Sequence, residues 1–443
     1  MKSNNMDNLD LDFDTEHRVW DKLPTMKAVV CWLATLFLLT QVVFFFDSQG
    51  DDVHSLGYLG RKVQNRSFIA STIGGSRLNG HSFGCSRSAA ILAPEIQKVS
   101  DSRYVIPSDV EPSVYCDESA SHETLRAGDY IEKDLLCGAR KAAMVPLAGK
   151  PKLAFLFLVR GEIVFEPLWR RFFHGNEESY SVYVHASNAS YDYPESSFFH
   201  GKSVLSRPVK RFSMTLVDAQ RRLLAHALRD SRNANAWFTF VCEKTLPVRN
   251  FPFIFNYITN SETSFVEAFL PKLATRRKWN QEPEFRRNQT RKGEAWMSVH
   301  RRHAGLIVAE SKLYAKFDRD LVGAAHDESY IQTMLAMVDA QGIANRTVMY
   351  VDWSDPHHSS HPSLIRVRNA TQGAATFRKI QQQTWNEDGY FIDSRERGSD
   401  DNEPSCMYNG SPFSNCYMFA RKFAAGGEEV EALLSLPKEV LGY

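Results

Sequence analysis

The sequence predicts an α/β fold with a mostly parallel central sheet. Short apolar runs such as KLAFLFLV (Lys152–Val159) have the composition of strands that are buried on both faces. These runs alternate with segments whose apolar residues recur at helical spacing, which is the pattern of parallel strands joined by helical crossovers. The 443 residues, of which 43% are hydrophobic and 24% charged, allow one large folded domain and further segments.

Five strands and three helices are predicted in order along the chain. The strands are Lys152–Val159, Tyr180–Ala186, Ala236–Glu243, Ser264–Phe269 and Thr347–Trp353. One helix starts at Thr215, with Asp218 as its capping-box partner, and a second runs from Ser298 to Glu310. The third starts within HDESYIQTML (His326–Leu335) and has an apolar face of Ile331, Met334, Leu335 and Val338.

Charge and motif content exclude some functions. The net charge is only +1, whereas nucleic-acid binding depends on a clustered basic excess. The chain has neither a G-x-G-x-x-G sequence nor a P-loop, which are the two commonest nucleotide-binding fingerprints.

An uncharged run near the N-terminus predicts a membrane anchor. At about 1.5 Å per residue, Ala28–Phe46 is long enough for a hydrocarbon core of roughly 30 Å. Its length favours an uncleaved signal-anchor over a cleaved signal peptide. Because Arg18, Lys22 and Lys27 precede the run, the positive-inside rule places residues 1–27 in the cytosol as a short tail.

The remaining chain is predicted to be lumenal, with a stem at residues 47–148 and a catalytic domain at 149–443. The stem is rich in Gly and Ser and is expected to be partly disordered. Six N-x-Ser/Thr glycosylation triplets follow the apolar run, at Asn65, Asn188, Asn288, Asn345, Asn369 and Asn409. Six cysteines also follow it; Cys406 and Cys416 are close enough to bridge a short loop, and the overall connectivity stays open.

An ordered series of motifs resembles a known family. The series comprises PKLAFLFLVRG, PLWRRFF, YSVYVHAS, DAQRRLLAHAL, TRKGEAWMSVHRR, DESYIQTML, NRTVMYVDWS and CMYNGSPFSNCYMFARKF. Together they resemble the plant branch of the core-2/I-branching β-1,6-N-acetylglucosaminyltransferases, over Pro151 to about Ala424.

The resemblance implies a single-pass type II Golgi membrane protein with a GT-A-like fold and a role connected with the plant cell wall. It also implies inverting transfer from a UDP-sugar to a glycan hydroxyl, with basic side chains in place of a metal. The positions of the Asp-x-Asp (D-x-D) sequences, the usual metal-binding motif of GT-A enzymes, do not favour a metal site. Two lie in the predicted cytosolic tail, and Asp318-Arg319-Asp320 follows no central strand.

The family's catalytic base maps to Glu328. Inverting transfer needs a carboxylate within hydrogen-bond reach of the attacking hydroxyl, and the resemblance gives this role to the Glu of an Asp-Glu pair. The residues alone also fit an ordinary helix start, in which Asp327 caps the helix and Glu328 meets its positive dipole end.

The resemblance assigns the donor site to residues from several segments. Lys422 would contact the diphosphate, with Arg421 beside it and Arg397 or Arg395 as the second basic residue, although a solvated basic pair is the ordinary alternative. His185 and Glu243 occupy places that border the nucleotide. The segment CEKTLPVRN (Cys242–Asn250) departs from the plant pattern, so donor choice and activity stay open.

Glu267, Trp296 and Trp353 lie where the family recognises the acceptor, the alternatives being core tryptophans and a surface glutamate. His357, His358 and His361 do not have a standard zinc spacing.

The sequence therefore predicts an inverting, metal-independent glycosyltransferase that uses a UDP-sugar and a glycan or glycoprotein acceptor and needs no cofactor. The transferred sugar is expected to be GlcNAc-like, with GlcA and Xyl as alternatives. The rival hypothesis is a catalytically silent protein of the same fold that binds a glycan or a partner enzyme. Acceptor, linkage and oligomeric state are not encoded in any motif.

Overall fold

The computed structural model describes residues 127–271, 288–320, 325–353, 362–383 and 406–443. All described residues lie within one compact unit of the chain. The predicted tail and the predicted anchor at 28–46 lie outside the described residues. Among the helices that are described, none is both long and apolar enough to cross a bilayer.

The described chain alternates strands and helices. The strands are β1 (Lys152–Val159), β2 (Tyr180–Ala186), β3 (Asn235–Val241), β4 (Leu246–Pro247), β5 (Ser298–His300), β6 (Met349–Val351), β7 (Cys406–Tyr408), β8 (Ser411–Phe413) and β9 (Phe419–Arg421). The helices are α1 (Ala127–Ala143), α2 (Glu166–Phe173), α3 (Met214–Leu228), α4 (Phe251–Thr259), α5 (Arg301–Ala309), α6 (Lys312–Asp320), α7 (Tyr330–Val338), α8 (Ala370–Gln382), α9 (Gly427–Leu434) and α10 (Lys438–Leu441).

A four-stranded sheet of order β2-β1-β3-β5 forms the centre of the domain. β1 runs parallel to both β2 and β3, and β5 closes one edge in the antiparallel direction. Every residue of β1 is buried, which confirms the prediction of a strand covered on both faces. The predicted bounds of β1 and β2 coincide with the observed ones, and the predicted α/β class with a parallel-rich sheet agrees with this topology.

Alternate residues of β1 enter two different hydrophobic clusters. Phe155 and Phe157 pack with the aromatic face of α2, where Trp169 lies edge-on to both rings. Ala154 and Leu156 enter the cluster on the opposite face, which contains residues of α3 and α5. Because side chains of a strand alternate between its faces, this division follows directly from the apolar run.

Several predicted elements differ from the structure in their bounds, and two differ in kind. Ser264–Phe269 is not a regular strand but forms isolated bridges, among them Phe265 with Ser298 and Phe269 with Lys292. The helix predicted from Ser298 starts at Arg301, because residues Ser298–His300 instead pair with β3 as the edge strand β5. Apolar periodicity does not separate a three-residue strand from the first turn of the helix that follows it.

A smaller sheet has the strand order β4-β9-β6, and all three of its strands follow β3 in sequence. β9 is parallel to β6 and antiparallel to β4, so the last strand of the chain occupies the middle position. The hairpin of β7 and β8 precedes it, and a disulfide joins Cys406 to Cys416 with 5.8 Å between their Cα atoms.

Helix α1 lies within the range predicted as stem and packs on the central domain. Leu135, Ala139 and Ala143 are buried in the same cluster as residues of α3 and α5. Glu132 pairs with Arg222 of α3 at 2.9 Å and with Arg207 at 3.1 Å. The packed domain therefore reaches at least as far toward the N-terminus as α1.

Candidate active site

Glu328 lies in a short turn rather than in an α-helix. Residues His326–Glu328 form one turn of 3₁₀ helix, and α7 begins two residues later, at Tyr330. The Glu328 carboxylate is partly buried, and its Oε2 lies 3.2 Å from the Lys292 ammonium. The predicted base is thus held in an ion pair that the sequence did not indicate.

Asp327 does not cap the helix, so that interpretation is wrong. The N-cap position of α7 is held by Ser329, and no side-chain hydrogen bond caps this helix. Its Oδ1 is buried and has no hydrogen-bond partner among the described residues. Burial, and then the neighbouring Glu328 carboxylate, raise the pKa of Asp327 to about 7.

The segment Lys292–Glu294 is fixed by its backbone to the parts of the site on either side of it. Lys292 exchanges two backbone hydrogen bonds with Phe269, of 2.8 and 2.9 Å. The Gly293 amide donates to the Glu328 carbonyl at 2.9 Å. A Cβ on Gly293 would lie 2.4 Å from the Glu267 carbonyl oxygen, so no larger residue fits there without movement of the backbone.

The partly buried Glu267 and the buried Glu294 form a pair of carboxyl groups at this segment. The Glu294 amide donates to Oε2 of Glu267 at 2.9 Å. Burial, together with the Glu294 carboxyl, raises the pKa of Glu267 to about 8. Burial also raises the pKa of Glu294, whereas the Arg421 guanidinium opposes this increase. Glu267 is thus partly buried and belongs to the site rather than to the open surface.

Arg421 connects this carboxyl pair to the two tryptophans. Its Nη1 lies 3.6 Å from Oε2 of Glu294, and its guanidinium carbon lies 4.4 Å from the ring centroid of Trp296. The Trp353 indole donates a hydrogen bond to the Glu294 carboxyl. The predicted donor residue Arg421 and the predicted acceptor residues Glu267, Trp296 and Trp353 thus meet around Glu294.

Lys422 follows β9 at the same edge of the small sheet as Trp353, which follows β6. Because these strands are parallel, their carboxyl ends lie side by side. Burial, followed by the adjacent positive charge of Arg421, lowers the pKa of Lys422 to about 8. The Phe423 amide donates to the Lys244 carbonyl at 3.0 Å, so the unusual segment Cys242–Asn250 lies directly against this lysine's strand.

Charge interactions link these groups into one site. The Glu294 carboxyl interacts electrostatically with Arg421, Glu328 and Lys422. Arg211 interacts in the same way with Glu328, Asp327 and Arg421, and burial lowers its pKa. The predicted base and the predicted diphosphate contacts therefore all lie within electrostatic range of the Glu294 carboxyl.

Glu243 and His185 each contact an arginine that has no part in the groups described above. Glu243 lies 4.0 Å from the exposed Arg160 side chain, which also interacts electrostatically with Arg211. His185 is fully buried at the end of β2, where its Nε2 accepts a hydrogen bond from the Arg207 amide at 3.2 Å. Burial, and then the charge of Arg222, lower the pKa of His185 to about 4, so its imidazole is neutral at physiological pH.

Several predicted residues lie outside the described ranges, namely Asn65, Arg395, Arg397, His357, His358 and His361. The other five glycosylation asparagines are exposed, and the Asn409 side chain also donates to the Asn260 carbonyl at 2.9 Å. Within the described ranges, no group of three or more His, Cys, Asp or Glu residues is placed to hold a metal ion.

Three charged residues of the site were not predicted from the sequence motifs: Lys292, Glu294 and Arg211. Lys292 and Glu294 stand in the quoted motif TRKGEAW, where the Lys-Gly-Glu order could have indicated a polar turn beside a tight backbone approach. Arg211 precedes α3 in a segment without periodicity, and no sequence signal distinguishes it from other exposed arginines.

Comparison with known proteins relates this chain to a described family of enzymes. The family model of the Core-2/I-Branching enzyme matches residues 153–381. The chain is also 29% identical over 315 residues to Glycosyltransferase BC10 of Oryza sativa subsp. japonica. The aligned region covers 63% of this chain and 75% of the relative. The matched residues include Glu328, Lys292 and Glu294, whereas Arg421 and Lys422 lie beyond the family match.

Proposed function

Because the chain belongs to the core-2/I-branching enzyme family and is a glycosyltransferase, we propose that it moves a single sugar from a UDP-sugar to a hydroxyl of a glycan. The proposed transfer inverts the anomeric configuration and uses no metal ion. The observation that carries the proposal is the Glu294 carboxyl, which interacts both with Glu328 and with the Arg421–Lys422 pair. A base and a pair of cations on one surface are what this reaction needs.

Glu328 is proposed as the general base. Its carboxylate takes the proton of the acceptor hydroxyl while the hydroxyl oxygen attacks C1 of the donor sugar. The new C1–O bond forms as the bond from C1 to the diphosphate breaks, and the bonding electron pair leaves with UDP. The partial exposure of Glu328 is consistent with access from the side of the acceptor.

Arg421 and Lys422 are proposed to stabilise the negative charge that develops on the leaving diphosphate. Cations buried beside the reacting atoms interact more strongly with that charge than cations in water. Since the pKa of Lys422 is about 8, most Lys422 side chains are protonated at neutral pH. These two fixed charges would supply the stabilisation that many related transferases obtain from a divalent ion.

Trp296, Trp353 and Glu267 are proposed to recognise the acceptor glycan. Sugars present hydroxyl groups and apolar ring faces, and the two indoles and the carboxyl pair offer complementary surfaces. For the donor we propose a GlcNAc-like sugar, with GlcA and Xyl as alternatives that a nucleotide-sugar panel separates.

We further propose that the enzyme is a single-pass type II protein of the Golgi membrane, with its catalytic domain in the lumen. The uncharged segment 28–46 with basic residues before it supports the anchor. The exposure of Asn188, Asn288, Asn345, Asn369 and Asn409 is compatible with glycosylation in that compartment.

Activity measured in EDTA tests the proposed function. Wild-type protein should release UDP from its donor with a chelator present, and Glu328→Gln should reduce that rate by at least about a hundredfold, because Gln cannot accept the proton. An exposed carboxyl on a surface turn gives the matched control, and Glu195→Gln should retain the wild-type rate.

Three outcomes would count against parts of this proposal. Full activity in Glu328→Gln would exclude the assigned base. Loss of wild-type activity in EDTA, restored by a divalent ion, would exclude the metal-free mechanism. Failure of the wild type to bind any UDP-sugar in calorimetry would favour the silent glycan-binding or partner-binding protein.

A further inference from the structure

Lys292 is the positively charged group in direct ion-pair contact with the proposed base. Its Nζ lies 3.2 Å from Oε2 of Glu328, and the two side chains are only 20% and 24% exposed. A pair that is this sheltered is screened less by water and salt than an ion pair on the open surface. The contact therefore holds the Glu328 carboxylate beside a positive charge.

The backbone around Lys292 fixes this contact from two directions. Two hydrogen bonds with Phe269 hold Lys292 itself, and the next residue, Gly293, donates its amide to the Glu328 carbonyl. The Gln332 side chain donates to the Glu294 carbonyl at 3.1 Å, which joins the same segment to α7. Lys292 thus approaches Glu328 from a segment that is hydrogen-bonded to the base's own turn.

The other groups that act electrostatically on this region are mainly acidic. Asp327 precedes Glu328, and Glu294 and Glu267 interact with it from the opposite segment. Arg211 is the further basic residue that interacts with Glu328. Among these groups, the Lys292 ammonium brings a positive charge to within 3.2 Å of the Glu328 carboxylate.

We propose that Lys292 is a positioning residue that holds the Glu328 carboxylate in place and keeps it ionised for proton abstraction. This inference rests on the proposed function, because it requires Glu328 to act as a base. It adds a residue from the motif TRKGEAW to the reaction, although Lys292 need not touch either substrate.

The test compares Lys292→Met and Lys292→Arg in the full chain, solubilised in detergent. The rate of sugar transfer is measured from pH 5 to 9. In Lys292→Met we expect kcat at neutral pH to fall about tenfold. The acid limb of the pH profile should move upward by about one pH unit, because the cation that favours the charged carboxylate is gone. Lys292→Arg should restore the position of that limb. The exposed Lys379 on α8 provides the matched control, and Lys379→Met should show neither change.

A purely structural role would give a different result. If Lys292→Met lowers the rate but leaves the acid limb in its wild-type position, or leaves both unchanged, the proposal is wrong. If Lys292→Met is not recovered as folded protein, the comparison of Lys292→Arg with Lys292→Gln decides by the same criterion.

The same data separate this inference from the proposed function. If Glu328→Gln is inactive and the acid limb of Lys292→Met keeps its wild-type position, only the role of Lys292 is overturned. Active Glu328→Gln, or wild-type protein without any transfer, overturns the base assignment and the role of Lys292 with it.

Discussion

Two carboxyl groups beside Glu328 have pKa values far above those of exposed side chains. Burial is the main cause for both Glu267, at about 8, and Asp327, at about 7. A carboxyl whose pKa is higher in the folded state than in the unfolded state binds extra protons on folding. It stabilises the fold at pH values below its unfolded pKa, and this contribution is lost as the pH rises through the folded value.

Glu267→Gln should therefore reduce the dependence of stability on pH. In the wild type, the contribution of Glu267 should decline between about pH 4.5 and 8, by on the order of 3 kcal/mol in the free energy of unfolding. The variant keeps an oxygen that accepts the Glu294 amide but cannot ionise. Urea unfolding at several pH values measures the effect. Glu195→Gln, at an exposed position, should keep the wild-type slope; a wild-type slope in Glu267→Gln would contradict the assignment.

At Glu328 the local residues did not decide between a helix cap and a base. The structure removes the cap interpretation for Asp327, because Ser329 holds the N-cap position and no side-chain hydrogen bond caps the helix. The role of Glu328 itself stays a prediction. Lys292 and Glu294 could not be predicted, since their importance depends on contacts with Glu328 and Arg421, which are distant from them in sequence.

At the scale of elements, the segment Lys292–Glu294 joins the carboxyl pair to the base. It contacts Phe269 and Glu267 on one side and the turn of Glu328 on the other through backbone atoms. β1 and β2 were predicted with their observed bounds because long apolar runs are strong signals. The segment Lys292–Glu294 was not predicted, because bridges formed by single residues leave no periodic pattern in the sequence.

Gly293→Ala should disturb this junction. The added Cβ would lie 2.4 Å from the Glu267 carbonyl oxygen, a backbone atom that cannot rotate away. We expect a loss of about 1–3 kcal/mol in the free energy of unfolding, with a lower transfer rate. The control is Gly427→Ala on α9, where a Cβ would meet no atom within 4 Å. Equal stability of the two variants in chemical unfolding would show that the backbone yields at Gly293.

At the scale of the whole domain, α1 connects the predicted stem to the central sheet. Two of its carboxylates pair with arginines in contrasting surroundings, one in α3 and one directly after it. Glu132 pairs with the buried Arg222, whereas Asp134 pairs with Arg229 in an exposed position, 3.3 Å apart. The sequence did not predict this packing, because the Gly- and Ser-rich residues before α1 dominate the composition of the region.

Glu132→Gln should destabilise the domain, since it leaves Arg222, whose side chain is 5% exposed, without its negative partner. We expect a loss of about 2 kcal/mol in the free energy of unfolding. Asp134→Asn, on the same helix, should have no measurable effect, because exposed pairs contribute little. Thermal unfolding of both variants makes the comparison. Equal melting temperatures would mean that α1 does not contribute to the stability of the domain through this pair.

The position of β9 has a consequence for how the protein is made. This strand lies between β4 and β6, yet it is synthesised after both and carries Arg421, with Lys422 directly after it. Most of the domain has therefore been synthesised before the middle strand of the small sheet is made. The large sheet can form from residues made earlier, but neither cation can join the base until the final segment of the chain emerges.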